Sequence, residues 1–367
     1  MVHIAYGIAS EGMGHCTRSE AVIEYLLKQG HTVDIFTSKR AYEVLKKKYQ
    51  RVHKIKGFHL VYENTSVSLN QSIFSNIATL PHEFVSTIRV LVKVFRQTRP
   101  QVIISDFEFF TSAVGKLLMI PVIAANNISI IDKTYGNWGD SGTRYTEAIT
   151  RLVNKLATFH ADAYVIPTFF FPKSVSDNVV LTNPVVRSAI TNVIPSEGYH
   201  ILVYHTSGKI KELFNVLKKV NASFKVYGFG KKEKDKNLEF FEFDERQFIQ
   251  DLAGAKAVIT GGGFSLMSEA LFFKKPILSI PLEKHFEQIL NAQMLEQRGF
   301  GRMCVKPRAQ EIERFIEEIP AYKKQLSRYH FDPGEFAYEI ECLVMKMAIT
   351  PNQHIFNRLY SAVKKPM

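Results

Sequence analysis

The chain has 367 residues, 46% of them hydrophobic and 22% charged, which places it among globular proteins and excludes a disordered or collagen-like chain. That length exceeds what one hydrophobic core serves and implies two domains. The formal net charge of +12 has two readings: solvated lysine faces, or an anionic partner such as a phospholipid surface, a lipid diphosphate or nucleic acid. Much of the charge lies in KRAYEVLKKKYQRVHKIK (39–56) and KKEKDK (231–236). Nucleic acid is the weakest of these partners, because no recognisable binding motif accompanies the aromatic residues.

VHIAYGIA reads as a first strand running into a glycine turn, SEGMGHCTRS, without the charged-then-apolar order of a signal peptide. RSEAVIEYLLKQG follows as a helix whose stripe is Ala21, Val22, Tyr25 and Leu26, and HTVDIFTS is the next strand. HEFVSTIRVLVKVFRQTRP carries Phe84, Ile88, Leu91, Val92 and Phe95 at helical spacing, most of them expected to face the core. QVIISD and PVIAANN are further strands. The most apolar stretch, LLMIPVIAANNISII, is broken by Pro121 and the Asn126-Asn127 pair, short of the roughly 18–20 residues that span a bilayer. A cytoplasmic protein, with possible peripheral contact on a membrane, is the expectation. Cys16, Cys304 and Cys342 show neither a metal spacing nor a disulfide framework and read as reduced thiols.

The alternation pauses over a Pro-, Ser- and Asn-rich stretch near 183–198 and restarts with HILVYHTSG, KIKELFNVLKKV, SFKVYGFG, LEFFEF, KAVITGGG and KPILSIP. Strand and helix alternation predicts parallel α/β sheets. The expected division is an acceptor-side domain over 1–182, a linker over 183–198, a second domain over 199–334, and C-terminal helices over 335–367 that return to the first domain.

GGGFSLMSEAL (261–271) follows a strand and opens a helix. Glycines let the turn approach a ligand closely, and the N–H groups and positive end of the helix suit a diphosphate. Ser265 or Ser268 adds a hydroxyl, and Glu269 is placed to accept the hydroxyls of a ribose. The competing reading is a tight turn followed by a surface glutamate.

With the downstream KKPILSIPLEKHFEQILNAQMLEQRGFG, this segment resembles the nucleotide-sugar signature of inverting glycosyltransferases of families 1 and 28. That group includes the bacterial transferase adding N-acetylglucosamine to a lipid-linked peptidoglycan precursor. The resemblance is specific over about 240–302 and departs at Lys274, where the family pattern Gly-x-Pro has glycine. It implies an α/β chain with the GT-B fold, two Rossmann-like doubly wound domains facing across a cleft. It also implies backbone N–H groups of Ser265 and Leu266, in the turn of Gly262 and Gly263, on the diphosphate of a UDP-sugar co-substrate. Glu269 would hold the ribose, Glu287 and Gln288 the hexose, and main chain near Phe243 and Asp244 the base, with Asn291 supporting the loop. Ser207 and Gly208 in YHTSGK are further phosphate candidates. Arg187 in NPVVR either reaches the diphosphate or is an exposed linker arginine.

The N-terminal turn, with Gly12 and Gly14, matches the family's acceptor-side loop, where His15 is the candidate general base and Glu11 its competitor. Removing a proton from an attacking hydroxyl needs a base near neutral pKa, which suits histidine. Asp106 is either the acid that orients His15 or an N-cap for FEFFTSAVGKLL. The acceptor pocket falls to variable loops, including 126–145 with Asn126 and Asn127. No metal or other cofactor is expected. Retaining enzymes of this fold carry Glu, seven residues, Glu, whereas that count from Glu269 reaches Ile277, which favours inversion. The rivals are a UDP-N-acetylglucosamine 2-epimerase and a catalytically silent sugar-nucleotide-binding subunit of the same fold.

Overall fold

The computed structural model describes residues 1–10, 13–57, 62–63, 66–67, 69–136, 138–139, 142–158, 160–205, 210–282 and 285–349. Glu11, Gly12, Ser207 and Gly208 lie outside the described residues.

The first half runs β1 (His3–Ile8), α1 (Met13–Lys28), β2 (Thr32–Thr37), α2 (Lys39–Leu45), β3 (Val52–Lys54), β4 (Tyr62–Glu63), β5 (Ser66–Val67) and α3 (Leu69–Thr98). It continues with β6 (Val102–Asp106), α4 (Phe109–Leu117), β7 (Val122–Ala125), α5 (Ile130–Lys133), α6 (Arg144–Thr158), β8 (Ala163–Pro167) and β9 (Val179–Thr182). The second half runs α7 (Ser188–Thr191), β10 (His200–Tyr204), α8 (Ile210–Leu217), β11 (Ser223–Tyr227), β12 (Glu233–Asp235), β13 (Leu238–Phe240), α9 (Glu245–Ala253) and β14 (Ala257–Thr260). It closes with α10 (Phe264–Phe272), β15 (Ile277–Ser279), α11 (Phe286–Gln297), β16 (Gly301–Met303), α12 (Ala309–Arg328) and α13 (Glu335–Ile349).

One seven-stranded sheet has the order β3-β2-β1-β6-β7-β8-β9, and its pairs are all parallel. The other has the order β12-β13-β11-β10-β14-β15-β16, parallel apart from the β12–β13 pair. Helices cover these sheets, which is why strands such as Val102–Asp106 and Ala257–Thr260 are buried along their whole length and read as continuous apolar runs. This is the GT-B architecture the sequence predicts.

Three differences from the sequence reading have local causes. The KKEKDK run forms an edge strand, β12, whose exposed charges blunt the sheet edge. The helix expected from residue 82 begins at Leu69; of its stripe, Leu91 and Phe95 are fully buried, while Phe84, Ile88 and Val92 pack against the same core. Lys274, at the position where the family has glycine, adopts a left-handed φ of 57°, so the backbone keeps the turn that glycine usually makes.

Helix α13 packs on the first sheet through Phe336, Ala337, Ile340 and Val344. Its Glu341 accepts from Tyr25 Oη at 3.1 Å, and Glu335 accepts from the Asn183 amide N–H at 2.9 Å. The linker is anchored to the second sheet where Lys275 Nζ donates to the Ser196 carbonyl at 2.6 Å. Cys16, Cys304 and Cys342 are free thiols, the first two buried. Among the described residues, no helix is long and apolar enough to cross a membrane.

Candidate active site

In doubly wound sheets, ligands collect where the strand order reverses, beyond the carboxyl ends of the strands. Here those points lie between β1 and β6 in the first sheet and between β10 and β14 in the second. The loop after β1 leads to His15, β6 ends in Asp106, and β14 ends at the triple glycine. The two points face each other: Ser265 Oγ, one residue into α10, donates to the Gly14 carbonyl at 3.0 Å.

His15 Nδ1 lies 2.8 Å from Asp106 Oδ1, and its ring stacks on Phe107 with centroids 5.8 Å apart. Asp106 is fully buried. Burial alone would raise its carboxyl pKa, yet the Arg18 guanidinium, with the hydrogen bonds from His15 and Arg18, holds it down to about 2. The alternative reading of Asp106 as an N-cap is corrected: Glu108 caps α4, accepting from the Phe110 and Thr111 amides at 3.0 and 2.7 Å. The reason is the turn between them, where Phe107 has φ of 61°. This reverses the chain, leaves Asp106 on the strand end and brings Glu108 to the start of the helix.

Arg18 is the residue the sequence reading missed. Its Nε donates to Asp106 Oδ2 at 3.0 Å and its Nη2 to Oδ1 at 2.5 Å, the two-pronged geometry that favours arginine over lysine. Ser19 Oγ adds a bond to Oδ2 at 3.0 Å. The spacing was a usable signal, since residues three apart on a helix share a face and Arg18 follows His15 by three.

From Arg18 the network crosses the cleft. Nη1 donates to Asn127 Oδ1 at 2.8 Å, and Asn127 Nδ2 donates to Glu287 Oε1, on the other domain, at 2.9 Å. Arginine only donates and a carboxylate only accepts, so a single orientation of the Asn127 amide serves both. Asn126 is not available to an acceptor as expected: it is fully buried, and its Oδ1 accepts from the Ser129 amide at 2.9 Å. Its Nδ2 finds no partner among the described residues.

On the donor side, Gly262 has φ of +92°, and a Cβ there would meet the Gln288 carbonyl oxygen at 2.9 Å, so this glycine is needed to close the turn on α11. A Cβ on Gly263 would meet nothing within 4 Å. Gly263 is the N-cap of α10, no side chain caps it, and the first N–H groups of the helix, through Leu266, have no intrahelical acceptor. Phe264 stacks on Phe169 of the first domain at 4.7 Å and fixes the helix end against it. Ser268 is corrected as a ligand hydroxyl, because it is buried and donates to the Phe264 carbonyl at 2.8 Å.

Glu269 is buried rather than a surface glutamate, and burial raises its pKa against the opposing pull of Arg187. Arg187 Nε donates to Glu269 Oε1 at 2.8 Å, and Nη1 pairs with Glu245. The linker arginine therefore stands over the helix carrying Glu269, not in open solvent. Gln288 turns its amide oxygen to the Leu282 N–H at 2.9 Å, and Asn291 donates to the Gly262 carbonyl at 3.0 Å, bracing the glycine turn. Asp244 caps α9 by accepting from the Gln247 amide at 2.8 Å, while Phe243 beside it is 54% exposed and free to meet a ligand with its ring or main chain. His205, just after β10, is buried and bonds the Ile280 carbonyl at 3.0 Å beneath the triple glycine.

Comparison with known proteins assigns the family and the fold. The family described as Glycosyl transferase family 1 matches residues 2–320. A glycosyltransferase of Methanosarcina mazei without an assigned substrate is 27% identical over 81% of this chain and 84% of its own. The UDP-N-acetylglucosamine--N-acetylmuramyl-(pentapeptide) pyrophosphoryl-undecaprenol N-acetylglucosamine transferase of Clostridium botulinum is 26% identical over 88% of this chain and 93% of its own. Among solved structures, the calicheamicin glycosyltransferase CalG4 superposes with a TM-score of 0.67 at 15% identity, covering 96% of this chain and 99% of that one.

Proposed function

The chain belongs to glycosyl transferase family 1 and is a glycosyltransferase; we propose that it moves a hexose or N-acetylhexosamine from a UDP-sugar to an acceptor hydroxyl, with inversion and without a metal. The observation that carries this reading is the opposition of His15–Asp106 to the uncapped start of α10, joined by the Ser265–Gly14 contact.

His15 takes the proton of the acceptor hydroxyl. The acceptor oxygen attacks the anomeric carbon from the face opposite the leaving group, the bond to the diphosphate oxygen breaks through an oxocarbenium-like state, and the electron pair leaves with the diphosphate. Helix N–H groups from Phe264 to Leu266 stabilise that charge as it develops. The helix dipole and these N–H groups take the place of a metal in this scheme, which is the ground for expecting no metal requirement. Glu269 receives the ribose hydroxyls, and Glu287 and Gln288 the hexose. UDP as the nucleotide is supported by the donor named in the Clostridium botulinum relative.

An acceptor on a membrane lipid is supported by α6. It exposes Tyr145, Leu152 and Leu156 on one face, flanked by exposed Arg144 and Lys155, a pattern suited to an anionic interface. The relative named for a pyrophosphoryl-undecaprenol substrate agrees with such an acceptor.

Calorimetric titration with UDP, TDP and GDP, first without metal and then with Mg²⁺, tests the donor side. Metal-independent UDP binding supports the reading, and failure to bind any of the three removes it. Product analysis separates transfer from epimerisation, which isomerises the hexose without an acceptor.

A further inference from the structure

A buried carboxylate needs a compensating positive charge. In a simple histidine–acid pair the nearest source is the imidazolium, so the carboxylate raises the proton affinity of the ring. Asp106 has another source. Arg18, 4% exposed and permanently charged, bonds both its oxygens and neutralises it whether or not His15 carries a second proton. A doubly protonated ring would, in addition, stand against the guanidinium, whose Nη2 is 3.0 Å from His15 Nδ1. Among the described residues, the groups facing His15 are Asp106 on β6, Phe107 after it, Arg18 on α1 and, through Asn127, Glu287 on α11.

We propose that Arg18 is a positioning residue for the transfer reaction: it keeps Asp106 ionised while His15 stays uncharged, with the ring proton on Nδ1 directed at Asp106 and the Nε2 lone pair left for the acceptor hydroxyl. Nδ1 either donates to Asp106 or accepts from Arg18. The first fits better, because the carboxylate is the stronger partner and lies closer, at 2.8 against 3.0 Å. Asn127 holds the guanidinium by its remaining edge and ties its position to Glu287, so the base is aligned when the domains are in contact. This inference rests on His15 being the base.

The test is ring-¹⁵N NMR of the full chain with labelled histidine, the His15 signals being assigned by their loss in His15→Gln. In the wild type the neutral ring is expected to carry its proton on Nδ1. In Arg18→Met the titration midpoint of His15 is expected to rise by at least one pH unit, a tenfold gain in proton affinity, whereas Arg18→Lys, which keeps the charge, shifts it less. A neutral ring protonated on Nε2, or an unmoved midpoint in folded Arg18→Met, overturns the proposal. If Arg18→Met does not fold, Arg18→Gln, which removes the charge but keeps a donor, takes its place in the titration. Full turnover in His15→Gln would instead remove the base assignment and leave the tautomer result standing, so the two failures are distinguishable.

Discussion

Adjacent glycines in the triple turn should respond oppositely to the same substitution. At Gly262 an alanine must hold φ of +92° and press its methyl to 2.9 Å from the Gln288 carbonyl oxygen and 3.0 Å from Ser279 Oγ. The left-handed backbone costs about 1–2 kcal/mol and forced overpacking a further 1–3, so Gly262→Ala should lose about 2–5 kcal/mol of stability. At Gly263, φ is −67° and ψ 126°, ordinary for alanine, and the methyl enters open space. The smaller freedom of the unfolded chain gains about 0.4–1 kcal/mol, offset by the poorer N-cap that alanine makes, so stability should be nearly unchanged. That open space is where the diphosphate is proposed to lie. A methyl there displaces at least one charge-assisted hydrogen bond, worth about 1.5–3 kcal/mol, and UDP affinity should fall about 10- to 100-fold. Denaturant melts and UDP calorimetry on both variants read the two effects separately. Wild-type UDP affinity in a stable Gly263→Ala protein would refute the placement of the diphosphate at this turn.

Glu269→Ala should weaken UDP binding at least tenfold by calorimetry, and His15→Ala should leave it intact while abolishing transfer; full turnover in His15→Ala would exclude it as the base. Glu108→Ala removes the acceptor of two α4 amides and should cost about 1–2 kcal/mol in denaturant melts without changing UDP affinity. Lys275 is pushed down to about 8 by burial and by Lys323, against the pull of Glu197. Its unfolded form then binds more protons than the folded form between about pH 8 and 10.5, so this group makes stability rise with pH across that window, by on the order of 2–3 kcal/mol. Lys275→Met should flatten the rise in melts at pH 7.5, 9 and 10.5, and an unchanged slope would count against a depressed lysine.

What the sequence determined by itself was whatever depends on near neighbours along the chain. Apolar runs and helical stripes marked most strands and helices because strand and helix periodicities are local, and the triple glycine announced a strand-to-helix turn because no side chain fits at Gly262. Tertiary structure decided the rest. Asp106 and Glu108 are two acids two residues apart, and only the left-handed turn at Phe107 assigns one to His15 and the other to the helix cap. Arg18 meets an acid 88 positions away, and Asn127 meets Glu287 across 160. These pairings depend on the reversal of strand order that brings β1 beside β6, and on the angle at which the two sheets face each other. Neither leaves a periodic trace in the sequence, because each is fixed by the packing of the whole core.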